Sequence, residues 1–314
     1  MGDARFVAGD WGTSHLRLFL CDSQGMTLDS CIGPGAADLS GQFANVFESL
    51  MARWEERHGV LPAVLCGMVG SSIGWTQAPY VPCPAKPGQI AEACATLRGG
   101  RVHIVPGLSC RNRFNAPDFL RGEETQILGA LNLQRTLCQG RRLLCLPGTH
   151  TKWVVLEEGA VREFFTAPTG ELFAVLCDHS VLVRNRNRVE TVIDTDAFKQ
   201  GLASFNEFPQ AQLLHRFFEC RSRQLNSELS APAAAAYLSG LLVASDVHGA
   251  LQLLSDSITT PVYLIGTSQL TQLYAAALAV HGYHAYAVDG AEASLRGLTQ
   301  VRQLLSQQVA AHAV

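Results

Sequence analysis

The sequence predicts an α/β protein of two domains, and three observations carry that prediction. Apolar strand-like runs alternate with amphipathic helical stretches along the chain. A strand–turn–strand pattern near the N-terminus returns in the middle of the chain, which suggests a duplicated unit. The length of 314 residues, with 47% hydrophobic and 16% charged residues, is long for one compact core and comfortable for two.

Residues 5–20 read as a strand, a Gly-Thr-Ser turn and a second strand, with a third strand over 26–29. Residues 42–58 place Phe43, Val46, Phe47, Leu50, Met51 and Trp54 on one helical face, with Ser40 available as cap and Gly59 as stop. Residues 61–66 and 101–105 are short buried strands, and 123–137 is a second helix. Residues 142–147, 152–156 and 160–165 then repeat the opening theme. GTSHLRLFL (12–20) matches GTHTKWVVL (148–156) position by position, and each is followed by an acidic residue and a turn glycine. Two short helices are expected over 178–230. Ser230 and Pro232 start a long alanine-rich helix. Strands at 261–266 and 283–288 alternate with helices at 268–281 and 291–309. No Pro/Gly/Ser-rich linker separates the halves, so the expected domains are 1–139 and 140–314, meeting at a close hinge near Gly140, with the last helix free to pack back on the first domain.

Composition excludes several classes. The formal net charge is -3, with no basic excess to form a nucleic-acid or anionic-membrane surface. The first residues do not form a signal peptide. The apolar stretch 231–254 is broken by Ser, Asp, His and Gly and reads as a buried helix. The ten cysteines contain no C-x-x-C pair and no zinc spacing, which fits a reduced, cytoplasmic protein.

Three turns could carry chemistry. Asp10-Trp11-Gly12-Thr13-Ser14 ends a strand with a carboxylate, a glycine and two hydroxyls. Such a hairpin can aim backbone N–H groups and hydroxyls at a phosphate, with Asp10 placed for a magnesium ion or its water. The plain alternative is an ordinary β-turn. Gly148-Thr149-His150-Thr151-Lys152 offers the same groups again, or a plain hairpin. Gly266-Thr267-Ser268 joins a strand to a helix. Its glycine permits close approach of a flat ligand and the helix N-terminus favours anions, while the plain alternative is a connection capped by Ser268.

In this order and spacing the three turns resemble the phosphate-1, phosphate-2 and adenosine elements of the superfamily that holds sugar kinases, actin and heat-shock chaperones. The resemblance implies an actin-like ATPase fold, a duplicated ribonuclease H-like fold with an ATP cleft between the domains. The chain departs from that pattern at Pro147, where the superfamily often has Asp; proline offers a metal no side-chain ligand from that side. It has neither G-x-x-x-x-G-K-[ST] nor G-x-G-x-x-G. The segments GDWGTSHLRLFL, CGMVGSSIGW, FLRGEETQILGAL and LPGTHTKW resemble those of the 2-dehydro-3-deoxygalactonokinases, the 2-keto-3-deoxygalactonate kinases. That resemblance implies ATP- and Mg2+-dependent phosphorylation of 2-dehydro-3-deoxy-D-galactonate at its 6-hydroxyl, in galactonate or galactose breakdown.

Transfer of a phosphoryl group asks for positioning, charge neutralisation and a carboxylate near the attacking hydroxyl. The candidates for that carboxylate are Glu123, Glu124 and Asp118, although acids in a first helical turn also favour the helix dipole. Gly122-Glu123-Glu124 resembles the catalytic-glutamate segment of exopolyphosphatases as well, so a phosphohydrolase is a rival reading. A kinase for another sugar acid, such as 2-dehydro-3-deoxygluconate, is a second. A filament-forming or client-binding ATPase is a third, but the chain has no room for a peptide-binding domain. Gly70, Ser71 and Ser72, in the glycine-rich loop after residue 66, suit contact with a small polar ligand. Arg111, Arg113 and Asn115 are candidates for holding the sugar-acid carboxylate; the plain alternative is a structural loop and surface arginines. Asp246 and His248 are candidates for lining the hinge and Asp289 for touching ribose. Arg184, Arg186 and Arg188 read as a solvated or ion-paired edge. The oligomeric state stays open.

Overall fold

The computed structural model describes residues 3–183, 195–256 and 259–312; Arg184, Arg186 and Arg188 lie outside them. The chain divides into two compact units. One comprises Met1–Arg141, Val154–Phe164 and Val288–Val314, and the other Arg142–Trp153 and Phe165–Ala287. The first join falls after Arg141, and a central segment and the last helix go with the N-terminal part.

The first unit opens with β1 (Phe6–Trp11), β2 (His15–Cys21) and β3 (Thr27–Pro34), followed by α1 (Phe43–His58) and β4 (Ala63–Gly67). Next come β5 (Tyr80–Pro82), α2 (Pro87–Glu92), β6 (Ala95–Leu97), β7 (Val102–Ile104), β8 (Gly107–Arg111), β9 (Pro117–Leu120) and α3 (Glu123–Leu133). A six-stranded sheet has the order β3-β2-β1-β4-β7-β6. β1 pairs antiparallel with β2 and parallel with β4. Its central position buries β1 on both faces, which is why its sequence is a continuous apolar run until Asp10. Trp11, Leu16, Leu18, Leu65 and Ile104 pack against the α1 face formed by Phe43, Phe47, Met51 and Trp54. α1 stops at Gly59, whose φ of 73° and N–H bond to the Glu55 carbonyl make the expected C-terminal cap. Ser40 does not cap the helix: the cap position is Gln42, which makes no side-chain bond, and Ser40 sits in the preceding turn at φ 37°. β5, β8 and β9 form a separate small sheet.

The chain continues with β10 (Arg141–Leu146), β11 (Thr151–Glu157), β12 (Ala160–Ala167), α4 (Thr169–His179), α5 (Thr195–Glu207), α6 (Leu213–Arg216), α7 (Phe218–Leu225) and α8 (Ala231–Leu253). It ends with β13 (Val262–Gly266), α9 (Ser268–Val280), β14 (Ala285–Asp289) and α10 (Gly290–His312). The second large sheet has the order β12-β11-β10-β13-β14, and β10 runs parallel to β13. Both large sheets therefore run third, second and first strand of a β-meander and then a later parallel strand. The repeated turn sequence is accompanied by a repeated topology.

α8 starts at Ser230, whose Oγ accepts from the Ala233 N–H at 3.3 Å. It is apolar and long enough to cross a membrane, yet 72% of its most apolar window is buried inside the protein. It crosses α5 where Gly201 meets Gly240; a Cβ on either would collide with the other helix. α10 packs on α3 in the same way, Gly297 against Thr125 and Gly129 against Ala293. This close crossing ties the last helix to the first unit. All ten cysteines are free thiols.

Candidate active site

In the first unit, the β1–β2 turn closes with the Gly12 N–H donating to the His15 carbonyl at 2.9 Å. The carbonyls of Gly12 and Thr13 accept from the N–H groups of Ala36 and Ala37, which pins the turn to the next loop. Thr13 and Ser14 are left exposed. Asp10 and Arg17 are cross-strand partners, and the guanidinium donates to the carboxylate at 2.6 Å. Asp10, Gly12, Ser14, His15 and Arg17 line one open depression.

Beside it, β4 ends in a glycine-rich loop. Gly67 has φ 89°, and a Cβ there would press on the Trp11 carbonyl, so the turn needs glycine. The same Cβ position is 3.6 Å from Asp10 Oδ1, and the Cα of Gly67 is 3.6 Å from where a Gly122 Cβ would sit. Asp10, the Gly67 turn and the start of α3 thus meet at one end of the sheet. Gly70 carries the Ala78 N–H on its carbonyl, Ser71 donates from Oγ to the Met68 carbonyl at 2.8 Å, and Ser72 is exposed.

Glu123 and Glu124 open α3, and their carboxylates fold back on the backbone that precedes it. Glu123 Oε2 accepts from the Arg121 N–H at 3.1 Å and Glu124 Oε2 from the Gly122 N–H at 2.6 Å. Glu124 is fully buried. Burial first, and then the neighbouring Glu123 charge, pushes its carboxyl up to about 8. Glu123 is half-buried. Asp118 is buried on β9 and accepts from the Asn112 amide at 3.2 Å. The thiol of Cys66 is pushed well up by burial and then by Asp10 and Glu124.

The β8–β9 turn places the arginines otherwise than expected. The fork of Arg113 is closed on Glu163, Nη2 to Oε1 at 2.7 Å and Nε to Oε2 at 3.2 Å. Arg111 donates to the Asn115 carbonyl at 2.6 Å, and Asn115 has φ 58°. The partners of all three lie within the protein. A guanidinium not singled out in the sequence stands closer to the glycine-rich loop. Arg121 lies over the Tyr80 ring at 4.4 Å and donates from Nη2 to the Ala78 carbonyl at 2.8 Å. Its Nη1 sits 2.7 Å from where a Gly70 Cβ would be and has no hydrogen-bond partner. Its position next to Gly122-Glu123-Glu124 was the available signal. Arg17 was detectable too, by counting across the first turn to the residue opposite Asp10.

In the second unit the repeated turn is anchored differently. Thr151 and Lys152 are buried, so their side chains do not present themselves to a ligand as the sequence suggested. The Thr151 hydroxyl pairs with the Tyr274 hydroxyl at 2.8 Å, and Lys152 Nζ donates to the His150 carbonyl at 3.0 Å. Gly148, Thr149 and His150 remain accessible. His150 Nε2 pairs with Glu171 at 2.8 Å, and the Glu171 N–H donates to the Thr149 carbonyl at 2.9 Å. α4 can approach this closely because residue 170 is glycine; a Cβ there would strike the Gly148 carbonyl.

A cavity of about 220 Å³ opens beside Gly148. Its walls are mainly apolar: Phe173 of α4, Leu242 and Val243 of α8, and Leu270 and Leu273 of α9, with Thr169, Ser239, Gln269 and Tyr274 as polar points. Gly266, Thr267 and Ser268 lead into α9 at this cavity. Thr267, not Ser268, is the cap, its Oγ1 accepting from the Leu270 N–H at 3.4 Å. The walls suit an apolar group, and the accessible turn beside it offers backbone donors to an anion.

The donor set suits a metal held jointly with a ligand. Among the described residues, no group of three or more His, Cys, Asp or Glu side chains could hold a metal. Mg2+ commonly takes one or two protein carboxylates and completes its shell with phosphate oxygens and water. Asp10, beside exposed hydroxyls at the first turn, fits that mode.

The duplicated strand order and the repeated turns define the class: an actin-like ATPase fold of the kind used by sugar kinases. The model of the 2-keto-3-deoxy-galactonokinase family matches residues 10–301. A probable 2-dehydro-3-deoxygalactonokinase of Rhizobium meliloti is 35% identical over 305 residues, covering 94% of this chain and 95% of the relative. The 2-dehydro-3-deoxygalactonokinase of Escherichia coli is 31% identical over 299 residues, covering 95% and 97%. A solved structure from Sinorhizobium meliloti, described as a candidate 2-dehydro-3-deoxygalactonokinase, superposes with a TM-score of 0.86 at 33% identity, covering 95% of this chain and 98% of that one. The chain belongs to the 2-keto-3-deoxy-galactonokinase family. It is a kinase, and these comparisons give the exopolyphosphatase reading no support.

Proposed function

We propose that the protein transfers the γ-phosphoryl group of ATP to the 6-hydroxyl of 2-dehydro-3-deoxy-D-galactonate, giving ADP and 2-dehydro-3-deoxy-6-phosphogalactonate. The observation that carries the proposal is the meeting, within the first unit, of Asp10, the Gly67–Gly70 loop and the Arg121–Glu124 segment at one end of the sheet. The hydroxyl oxygen attacks the γ-phosphorus, the bond to the ADP oxygen breaks, and the hydroxyl proton passes to a carboxylate. Glu123 is the favoured acceptor, because Asp118 and Glu124 are buried and a general base must reach the proton it takes. Asp10, Gly12, Thr13 and Ser14 serve the phosphates from the first turn. Gly148, Thr149 and His150 are the second unit's own candidates for an anion, with Thr151 and Lys152 stiffening that turn from inside. Mg2+, when bound at Asp10, would neutralise phosphate charge. The adenosine is assigned to the apolar cavity lined by Phe173, Leu242, Val243, Leu270 and Leu273, with Gly266, Thr267 and Ser268 as the connection that leads into α9.

Gly70, Ser71 and Ser72 are assigned to the sugar acid. A sugar carboxylate that reaches Arg113 must exchange for Glu163, while Arg111 and Asn115 shape the turn that carries it. Ten free thiols suit the reducing cytoplasm, which is the location proposed. The test is a coupled ADP-release assay across 2-keto-3-deoxy acids and aldonic acids. The proposal expects fastest turnover with the galactonate-series acid and one ADP per phosphorylated sugar. Preference for the gluconate epimer would move the substrate, and phosphate release without any sugar acid would end the kinase mechanism.

A further inference from the structure

Asp246 lies midway along α8, among alanine, leucine and valine side chains that form the buried core of the second unit. A carboxylate in such surroundings is costly unless it is hydrogen-bonded. Asp246 is hydrogen-bonded to three other elements. Its Oδ1 accepts from the Trp153 indole on β11 at 2.9 Å. Its Oδ2 accepts from the Thr169 hydroxyl at the start of α4 and from the Tyr274 hydroxyl on α9, each at 2.6 Å. Because Tyr274 donates to Asp246, the Thr151 hydroxyl donates to Tyr274, at 2.8 Å. Thr169 and Tyr274 are also two of the polar side chains in the cavity wall beside Gly148, with Ser239 and Gln269 the others. One half-buried carboxylate thus holds two of the cavity's polar side chains and the strand that follows the second turn.

Stability alone is a weak reason for this arrangement, since well-packed apolar groups of similar volume often serve a core as well as buried polar ones do. The joint attachment to cavity and turn has a functional consequence. We propose that Asp246 is a positioning residue for the nucleotide, setting the cavity wall and the Gly148–His150 turn in one fixed relation. ATP affinity then depends on Asp246 and affinity for the sugar acid does not. This inference rests on the kinase reading above.

The test uses the whole protein and measures ATP binding directly by titration calorimetry, without sugar. Asp246→Asn keeps the size but leaves one acceptor oxygen for donors on both sides. The ATP dissociation constant should rise about tenfold or more, because buried donors lose their acceptor. The KM for the sugar acid, measured at saturating ATP, should stay within about twofold, because interactions in a separate network are usually independent. Thr169→Val removes one donor, leaves the charge in place and should weaken ATP by roughly a few-fold. It carries the test if Asp246→Asn does not fold. Unchanged ATP affinity in the folded variant, or equal weakening of ATP and sugar acid, overturns the inference and leaves the kinase reading intact. A wild-type protein that binds no ATP overturns the kinase reading, and this inference with it.

Discussion

The two turns of the repeat share a sequence frame and differ in how each meets a carboxylate. Aligned on Gly12 and Gly148, Arg17 falls against Trp153. Arg17 reaches the carboxylate of Asp10 on the adjoining strand, in an open depression. Trp153 reaches the carboxylate of Asp246, which comes from a helix 93 residues later and is half-buried. Counting back from the glycines, the position of Asp10 is held by Leu146 in the repeat. The first turn therefore brings charge to its surface. The second keeps the Asp246 carboxylate beneath itself and shows a ligand backbone groups, Thr149, and His150 paired with the exposed Glu171. Duplication preserved the turn and let the supporting charges diverge, which is the pattern expected if one turn serves metal and phosphate and the other holds a nucleotide in place.

Substitutions can break that contrast. The largest effect is expected at Asp10. Asp10→Asn should lower kcat about 100-fold or more, the scale on which removing one electrostatic partner of the reacting phosphate is felt, with ATP affinity in the absence of magnesium little changed. Steady-state kinetics with parallel calorimetry checks this. A loss confined to nucleotide affinity would make the two turns equivalent.

Thr151→Val should act more weakly and differently. It removes a buried hydroxyl pair with Tyr274, so unfolding should become easier by about 1 kcal/mol and ATP should bind a few-fold less tightly. Chemical denaturation reads the first quantity and calorimetry the second. A variant with wild-type stability and a large fall in kcat would place Thr151 against the ligand.

The smallest effect sharpens the charge difference. The folded pKa of Glu124, about 8, lies above its ordinary value of 4.5. The folded state therefore holds a proton that the unfolded chain releases. Its contribution is full below about pH 4.5 and falls as pH rises towards 8. Glu124→Gln should flatten that fall in a series of melting temperatures between those pH values. A slope equal to that of the wild type would remove the assignment.

Much of this was readable from residues alone. The six apolar residues of α1 fall on one face and are the ones that pack, because a 3.6-residue period has one burial solution. The repeat of 12–20 at 148–156 indicated the duplicated topology that the two strand orders now display. Short elements were not readable. β5 has three residues and ends in Pro82, and β9 opens on Pro117, so neither shows the alternation that marks a strand. α3 ends at Leu133 rather than 137 because the chain tightens into a 3₁₀ turn from Arg135. The region expected to hold two short helices contains α5, α6 and α7. Thr151 read as a ligand-facing hydroxyl because local sequence cannot say which side of a hairpin faces inward. Its partner Tyr274 is 123 residues away. Arg113 read as a carboxylate clamp for the same reason: its acid, Glu163, lies 50 residues on.

The division of labour between the turns is tested most directly by magnesium titrations of turnover at saturating ATP and sugar acid, run on the wild type, Asp10→Asn and Thr151→Val. The magnesium concentration for half-maximal turnover should rise about tenfold or more in Asp10→Asn, since a carboxylate ligand is lost, and stay at the wild-type value in Thr151→Val. A shift of the same size in both variants, or none in Asp10→Asn, would contradict it.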